Sequence, residues 1–538
     1  MEKRIVWSYV LLISLAAAMV LRVGRMCSTQ ELKAAAVNQG LYTLTIGEER
    51  GTIYDRNFKP MVNNSSKTIL AVAPGPEALA ALKGMLPKEQ FDQYAQIMES
   101  RKPFALTTAV LPESKDGVSA FSIPIRYGVE QTAPHVIGYV DESGHGVTGI
   151  EKGYDELLDA YSGSLKVKYM VDAWGGVLGS EPYEIQDGRA PDKGGVVLTL
   201  ERGIQKITEK AAEKLQKGAV VVMDTASGEI LAMVSVPTFD IADVGAALEQ
   251  ADSPLFNRAT AAYNVGSTFK LCVAAAALEK GISIERSYTC LGYYQLGEQR
   301  YHCHKRDGHG TINMIKAIEQ SCNPYFIGLG QEIGAHSLYD MAYAMGFGSP
   351  ARLADGISSA AGSLPSISQI SQGELANLSF GQGKLTATPV QIAQMLSVIG
   401  NGGMSVSPSL CRGVTLDGSH LTKDERSPSH RVLSKQTSHT LCALLQSVVE
   451  EGSGKKAAPQ YLTAGGKTAS AQTGAYVGDK EIVHGWFAGL YPMEEPRYAI
   501  VVFSEGGDAG GNIPALVFRE ICEGLFLQGG AFFSSFTG

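Results

Sequence analysis

Nowhere in this chain do lysines and arginines gather into a long run, and no aromatic signature of an RNA-binding surface interrupts the basic residues. With 46 basic against 54 acidic residues the formal net charge is -8, so nucleic acid is not an expected partner. Cysteine is thinly spread: eight among 538 residues, from Cys27 to Cys522, which excludes a dense disulfide framework. There is no short internal repeat and no segment biased enough to read as disordered. A charged fraction of 19% and a hydrophobic fraction of 44% suit ordered globular domains, and the length predicts more than one.

Long apolar runs are also missing, with one exception. Ile5 to Leu21 is seventeen residues without a charge, set between Lys3-Arg4 and Arg22…Arg25. That is the lower edge for a transmembrane helix and long for a signal-peptide core. No A-x-A-like cleavage site follows, because Arg22-Val23-Gly24-Arg25 interrupts it, and no lipoprotein box precedes Cys27. An uncleaved signal anchor is expected. The flanking charges are nearly matched, so charge bias leaves its orientation open.

What is present begins with Ser267-Thr268-Phe269-Lys270, in the stretch AYNVGSTFKLCVAAAALEKG. A serine and a lysine three residues apart at the head of a small-residue helix stand one turn apart on one face. A serine hydroxyl is a weak nucleophile until a base reaches it. A lysine is that base only when burial and nearby charge lower its pKa. Leu271 to Leu278 is almost all small or apolar, so the helix after Lys270 is expected to be buried. S-x-x-K alone recurs by chance. Here, 54 residues on stands Ser321-Cys322-Asn323, and a further 146 on stands Lys467-Thr468-Ala469-Ser470. In that order they match the three elements of serine transpeptidases and β-lactamases.

On these motifs the chain resembles the penicillin-binding proteins. Asn257-Arg258-Ala259, Gly381-Gln382-Gly383, Thr388-Pro389 with Gln391, and Gly485 to Pro492 are similar to further parts of that family's transpeptidase domain. Arg50 to Asn57 (RGTIYDRN) resembles the signature of its class B, monofunctional members of Gram-positive type. His135 to Val140, Gly149 to Leu158 and Val196 to Gln205 are family-like as well. The resemblance implies an α+β fold, an antiparallel sheet flanked by helices as in serine β-lactamases, on an elongated N-terminal pedestal. The expected divisions are a cytoplasmic tip and anchor over 1–25, a pedestal of the dimerisation type over 26–190, and a transpeptidase domain over 191–538. Composition shifts suggest a polar helix near Pro87 to Glu99, helices over Arg202 to Gln216 and Ile513 to Phe526, and a hairpin turning at Ala226-Ser227-Gly228. Trp486 to Leu490 and Tyr498 to Ser504 read as strands. A dozen residues follow the last helix, so no further wall-binding module is expected. Arg50 and Asp55 are expected in a buried structural network of the pedestal.

The chemistry that the resemblance implies is acyl transfer. Ser267 attacks the penultimate D-Ala carbonyl of a peptidoglycan stem peptide, expels the terminal D-Ala, and passes the acyl group to an amine of a neighbouring stem. Lys270 acts as base, Ser321 passes a proton towards the leaving nitrogen, and Asn323 orients Lys270 and the substrate backbone. Lys467 supplies positive field and Thr468 a hydroxyl to the substrate carboxylate, while the Ser267 and Ser470 N–H groups form an oxyanion hole. No cofactor is needed for this chemistry, and β-lactams would inhibit it. Wall chemistry orients the anchor with its amino terminus in the cytoplasm and the catalytic domain outside. The implied partner is a polytopic membrane glycosyltransferase of the shape, elongation, division and sporulation family. Two alternatives stand beside this reading. One is a β-lactamase or β-lactam sensor, opposed by the pedestal signature and by the lack of a glutamate or carbamylated-lysine context for deacylation. The other is an inactive scaffold for a glycosyltransferase, opposed by the intact Ser267, Lys270, Ser321, Asn323 and Lys467.

Two departures and one cluster complete the reading. Ala469 replaces the usual glycine of the third motif, where a methyl is expected to crowd the serine-bearing helix or narrow substrate approach. Val265 stands where many relatives have proline, a small difference in loop stiffness. Cys272 and Cys522 read as small core residues. Cys290 and Cys303 flank a hairpin turning near Leu296-Gly297, and the Cys322 thiol points away from the cleft if Ser321 and Asn323 point into it. With His302, His304, Asp307 and His309 nearby, these three thiols suffice for a tetrahedral zinc site, His309 being the chosen fourth ligand. A Cys290–Cys303 disulfide and free buried thiols are the competing readings.

Overall fold

The computed structural model describes residues 2–28, 40–108, 117–129, 131–190, 193–422, 429–507 and 510–529. The uncharged N-terminal run lies within helix α1 (Glu2–Ser28). Its Lys3–Met26 stretch, 24 residues at a mean hydropathy of 2.0, is long and apolar enough to cross a membrane. At 1.5 Å per residue that is roughly 36 Å, against a hydrocarbon core of about 30 Å.

The chain divides into two compact units. The first takes in residues up to Arg50, Asn63–Arg126 and Tyr161–Pro191. Its strands β1 (Leu41–Glu49), β2 (Ser65–Val72), β3 (Phe104–Thr108), β4 (Val118–Ile125), β5 (Gly163–Met170) and β6 (Glu184–Asp187) form two antiparallel sheets, ordered β1-β5-β6 and β3-β2-β4. Period-two alternation buries Leu165, Val167 and Tyr169 of β5 against Ile46, Ile69 and Ile123. Leu70 and Val72, on the other side of β2, meet helices Pro76–Met85 and Lys88–Met98, the second of which is the expected polar helix.

The second unit comprises Gly51–Val62, Tyr127–Ala160 and Asp192–Gly538. Two stretches expected in the pedestal, 51–62 and 127–160, therefore pack with the catalytic unit. Strand pairing is the reason: Thr52–Tyr54 runs parallel to Gly195–Leu198, which pairs on its other side with Cys411–Thr415. Ile53, Val136, Ile137, Ile150 and Leu158 enter the main core of that unit. Asp55 follows them. Its buried carboxylate accepts the N–H groups of Asn57 and Lys59, and that of Arg202 at the head of α2 (Arg202–Ala212), so it holds a helix start of the catalytic unit.

Strands β7 (Gly218–Asp224), β8 (Ile230–Val236), β9 (Gly465–Val477), β10 (Lys480–Tyr491) and β11 (Tyr498–Ser504) make a five-stranded antiparallel sheet in the order β8-β7-β11-β10-β9. Alternation along β7 feeds two cores. Ala219, Val221 and Met223 join one with α3 (Lys270–Glu279), α4 (Asn323–Ile333), α5 (Pro389–Gly400) and α6 (Lys435–Glu450). Val220 and Val222 join the other with α2 and α7 (Ile513–Gln528). Helices thus cover both faces, an α+β arrangement. β9 is an edge strand, so one row of its backbone groups is free of the sheet.

The Thr388-Pro389…Gln391 element is a helix start. Thr388 Oγ1 accepts the Gln391 N–H and Gln391 Oε1 accepts the Thr388 N–H, a reciprocal cap with proline in the first turn of α5. Buried Gln391 Nε2 also donates to the carbonyls of Gly346, Ser349 and Ala361. Gln391→Ala is expected to destabilise the chain by about 2–4 kcal/mol, since it strands three carbonyls and one end of the cap. A fall of several degrees in the thermal midpoint would confirm it; an unchanged midpoint would refute it.

Candidate active site

Ser267 lies on a 3-10 turn, Gly266–Phe269, that runs directly into α3. Backbone contact seats this turn. Gly266 N–H donates to Gly381 C=O at 3.0 Å, and both residues have positive φ, 57° and 79°. A Cβ on Gly381 would stand 1.8 Å from the Gly266 oxygen, which explains glycine in Gly381-Gln382-Gly383. A Cβ on Gly266 would stand 3.1 Å from Ala471 Cβ and 3.3 Å from the Ser470 oxygen, so the turn rests on β9 beside Ser470. Trp486 Nε1 on β10 donates to the Asn264 carbonyl at 2.9 Å and ties down the residues before the turn. Buried Arg258 pairs with Glu505 at 2.6 Å and donates to the carbonyls of Asp252 and Ser253, so the Asn257-Arg258-Ala259 element is structural.

Lys270 is fully buried, and its Nζ donates to Ser321 C=O (2.7 Å), Ser321 Oγ (3.1 Å) and Asn323 Oδ1 (2.6 Å). The first and second motifs are therefore one hydrogen-bonded unit. Burial lowers the Lys270 pKa to about 7, with the nearby Cys322 and Cys303 thiols pulling the other way. Ser321 adopts φ 51°, an uncommon conformation for a residue with a Cβ, and this turns both its carbonyl and its hydroxyl to the amine. Lys467 on β9 is fully buried too, and its Nζ donates to the Thr468 carbonyl at 2.9 Å. Burial, then the charge of Lys270, hold its pKa well below the ordinary lysine value. Burial alone brings Lys270 to about 7, so it is the amine free to take a proton near neutrality.

Thr468 and Ser470 follow on β9, opposite Phe487 and Gly485 of β10. The Ala469 methyl is buried in the core shared with Val265, Phe269 and Trp486. Of the two effects expected of it, crowding of the packing beneath the strand fits this position; obstruction of the open cleft does not.

Two short antiparallel pairings assemble the thiol cluster. Tyr288–Cys290 pairs with Gly310–Ile312, which sets His309 beside Cys290. The hairpin Tyr293–Leu296 with Gln299–His302 returns the chain so that Cys303 N–H donates to Gly292 C=O at 2.9 Å. Cys322 arrives from the head of α4. The ligand atoms of Cys290, Cys303, Cys322 and His309 all lie within 4.8 Å of one another, and the three thiols are buried. Around one tetrahedral zinc, thiolate sulfurs at ~2.3 Å from the ion stand roughly 3.8 Å apart, so these four side chains fit such an ion. Cys272, Cys290, Cys303, Cys322, Cys411, Cys442 and Cys522 are free thiols. A hydrogen bond between Cys303 and Cys322 splits their pKa values, lowering that of the Cys303 thiol and raising that of Cys322. Cys272 and Cys522 lie in the two cores. The cluster reaches the cleft directly: Asn323 Nδ2 donates to the carbonyl of His302, the residue before Cys303, at 3.4 Å.

Sequence reasoning did not pick out Trp486 Nε1, the Gly266–Gly381 contact as a seat, or the Gly452-Ser453-Gly454 loop, where Ser453 Oγ stands 2.7 Å from Thr468 Oγ1. A serine between two glycines was the signal available for the last.

Residues 218–523 match the penicillin binding protein transpeptidase domain. The chain is similar to stage V sporulation protein D of Bacillus subtilis, 28% identical over 530 residues covering 91% of this chain and 80% of that protein. It is similar to the peptidoglycan D,D-transpeptidase MrdA of Acinetobacter baumannii, 29% identical over 408 residues covering 69% and 59%. Among solved structures it is similar to penicillin binding protein 3 of Mycobacterium tuberculosis in complex with aztreonam, with a TM-score of 0.66 at 25% identity over 91% of this chain and 97% of that one.

The buried lysine sets a pH dependence. Its folded pKa, about 7, lies below the ordinary value, so the neutral amine accumulates as pH rises through that point. Acylation of Ser267 is expected to accelerate between roughly pH 6 and 8 and then level off. A penicillin-acylation profile that is flat or falling across that window would remove Lys270 as the base.

Proposed function

The chain belongs to the penicillin-binding protein transpeptidase family, and on that premise we infer that it is a class B peptidoglycan D,D-transpeptidase, a serine acyltransferase that β-lactams inhibit. The observation that carries this is the three-point hold of Ser321 and Asn323 on buried Lys270. In this reading the Ser267 hydroxyl, one turn from Lys270, loses its proton to the neutral amine as oxygen attacks the penultimate D-Ala carbonyl. The developing oxyanion meets the N–H groups of Ser267 and Ser470, each worth ~3–4 kcal/mol in other acyl-transfer enzymes. The proton returns through Lys270 and Ser321 to the departing D-Ala nitrogen. An amine of a second stem then attacks the ester by the reverse path, which releases Ser267 and forms the cross-link. Lys467 and Thr468 face the carboxylate that marks the donor stem.

The proposal extends to the setting. α1 anchors the chain once through the membrane, with the amino terminus in the cytoplasm and the transpeptidase outside, where wall peptides are. The partner is a polytopic membrane glycosyltransferase that supplies the glycan strands to be cross-linked. Zinc bound by Cys290, Cys303, Cys322 and His309 is part of the reading, supported by the mutual distances of the four ligand atoms and the burial of the thiols. Such an ion would supply a structural cross-link behind Ser321 and Asn323, coupling the second motif to local folding.

Ser267→Ala is expected to abolish covalent labelling by a fluorescent penicillin while the circular dichroism spectrum stays unchanged; equal labelling of both proteins would overturn the mechanism. Protein purified under reducing conditions should carry about one zinc per chain. Chelation, or Cys303→Ser, should lower the thermal midpoint and the acylation rate together. Well under one equivalent, on protein never exposed to chelator, would end the zinc reading, as would destabilisation by reductant with no response to chelator.

A further inference from the structure

Ser453 sits just beyond α6, and the reaction as described makes no use of it. Its N–H donates to the Glu319 carbonyl at 3.1 Å, two residues before Ser321, while its hydroxyl lies 2.7 Å from Thr468 Oγ1. The flanking glycines make this reach possible. A Cβ on Gly452 would stand 2.7 Å from the Glu319 oxygen and 2.9 Å from the Val448 oxygen, and the N–H groups of Gly452 and Gly454 both donate to Val448 C=O. Glu319 is itself held: its buried carboxylate accepts the Ser447 hydroxyl at 2.6 Å and pairs with Lys316 at 2.7 Å. The end of α6, the approach to Ser321 and the third-motif threonine thus converge on one serine.

A threonine hydroxyl has one proton to give. If Thr468 spends that proton on a substrate carboxylate, the bond to Ser453 must run the other way, with Ser453 donating and Thr468 accepting. A hydroxyl that accepts one hydrogen bond becomes a better donor in the next. We propose that Ser453 is a positioning residue: its hydroxyl donates to Thr468 Oγ1 and directs the Thr468 proton at the carboxylate of the donor stem peptide or of a β-lactam. The proposal rests on the transpeptidase reading, in which Thr468 meets that carboxylate.

The test compares acylation rate constants of the full-length chain with a penicillin and with the methyl ester of the same penicillin, which lacks the anionic carboxylate. Ser453→Ala should lose about tenfold with the acid, the scale of one hydrogen bond to a charged group, and no more than about twofold with the ester. Ser453→Thr, which keeps a hydroxyl, should recover most of the rate. In a Thr468→Val background Ser453→Ala should add nothing, because no hydroxyl remains to be directed. The ratio of the two substrates on one protein preparation is independent of how much of that preparation is folded. Equal losses with acid and ester, no loss at all, no recovery by threonine, or full additivity with Thr468→Val would each overturn the proposal. Wild-type chain that penicillin fails to acylate would instead overturn the function on which it rests.

Discussion

A lysine side chain sealed from water is the constraint around which the catalytic unit is arranged. An ammonium ion buried without partners is prohibitively unstable, so it must lose its proton, find oxygen ligands, or do both. Lys270 does both. Its pKa falls to about 7, and three oxygens from Ser321 and Asn323 close around the nitrogen. Those ligands come from a segment 51 to 53 residues away, so the need of one buried amine brings the first two motifs together. The positive φ of Ser321 is the local strain that this arrangement sustains.

The third motif is brought in by different physics. Glycine allows backbones to approach where side chains would keep them apart. Gly381 lets the nucleophile turn sit on a neighbouring loop, and Gly266 lets the same turn rest on β9. The sheet contributes an edge strand whose free side faces that turn, while Trp486 on the next strand pins the residues before it. Polar contacts then tie the parts laterally: Asn323 to the hairpin that carries Cys303, and Ser453 to both Thr468 and the approach to Ser321. Each motif is thus held from two directions, which suits a site that keeps a serine hydroxyl and a buried amine in register for acyl transfer.

Much of this was legible beforehand. The expected fold class was implied by the resemblance that the motifs carry, while the main strands and helices around the motifs, the Leu296-Gly297 hairpin and the buried helix after Lys270 follow from local patterning. The structure packs 51–62 and 127–160 with the catalytic unit, a grouping that periodicity does not reveal because the strand partners of 52–54 lie 143 residues away. Asp55 moved with them, from a pedestal network to the head of α2. Ala469 was expected to crowd the serine-bearing helix or the cleft; its methyl is buried in the core with Val265 and Phe269, on either side of Ser267, which fits the first and not the second.

Sequence alone determined which chemistry is available here. An ordered set of serine, lysine, serine, asparagine and lysine, with a small-residue helix after the first pair, limits the chain to serine acyl transfer once a fold assembles them. It also determined that four zinc-competent side chains lie within a short span. Only the tertiary structure decided which of these residues meet, how deeply the amines are buried, and that the thiols converge behind the second motif. Proximity across the fold, exclusion of water and the left-handed turn at Ser321 arise from packing between segments far apart in the chain. The pKa of Lys270 is therefore a property of the folded molecule, since no local stretch of residues can desolvate an amine by itself.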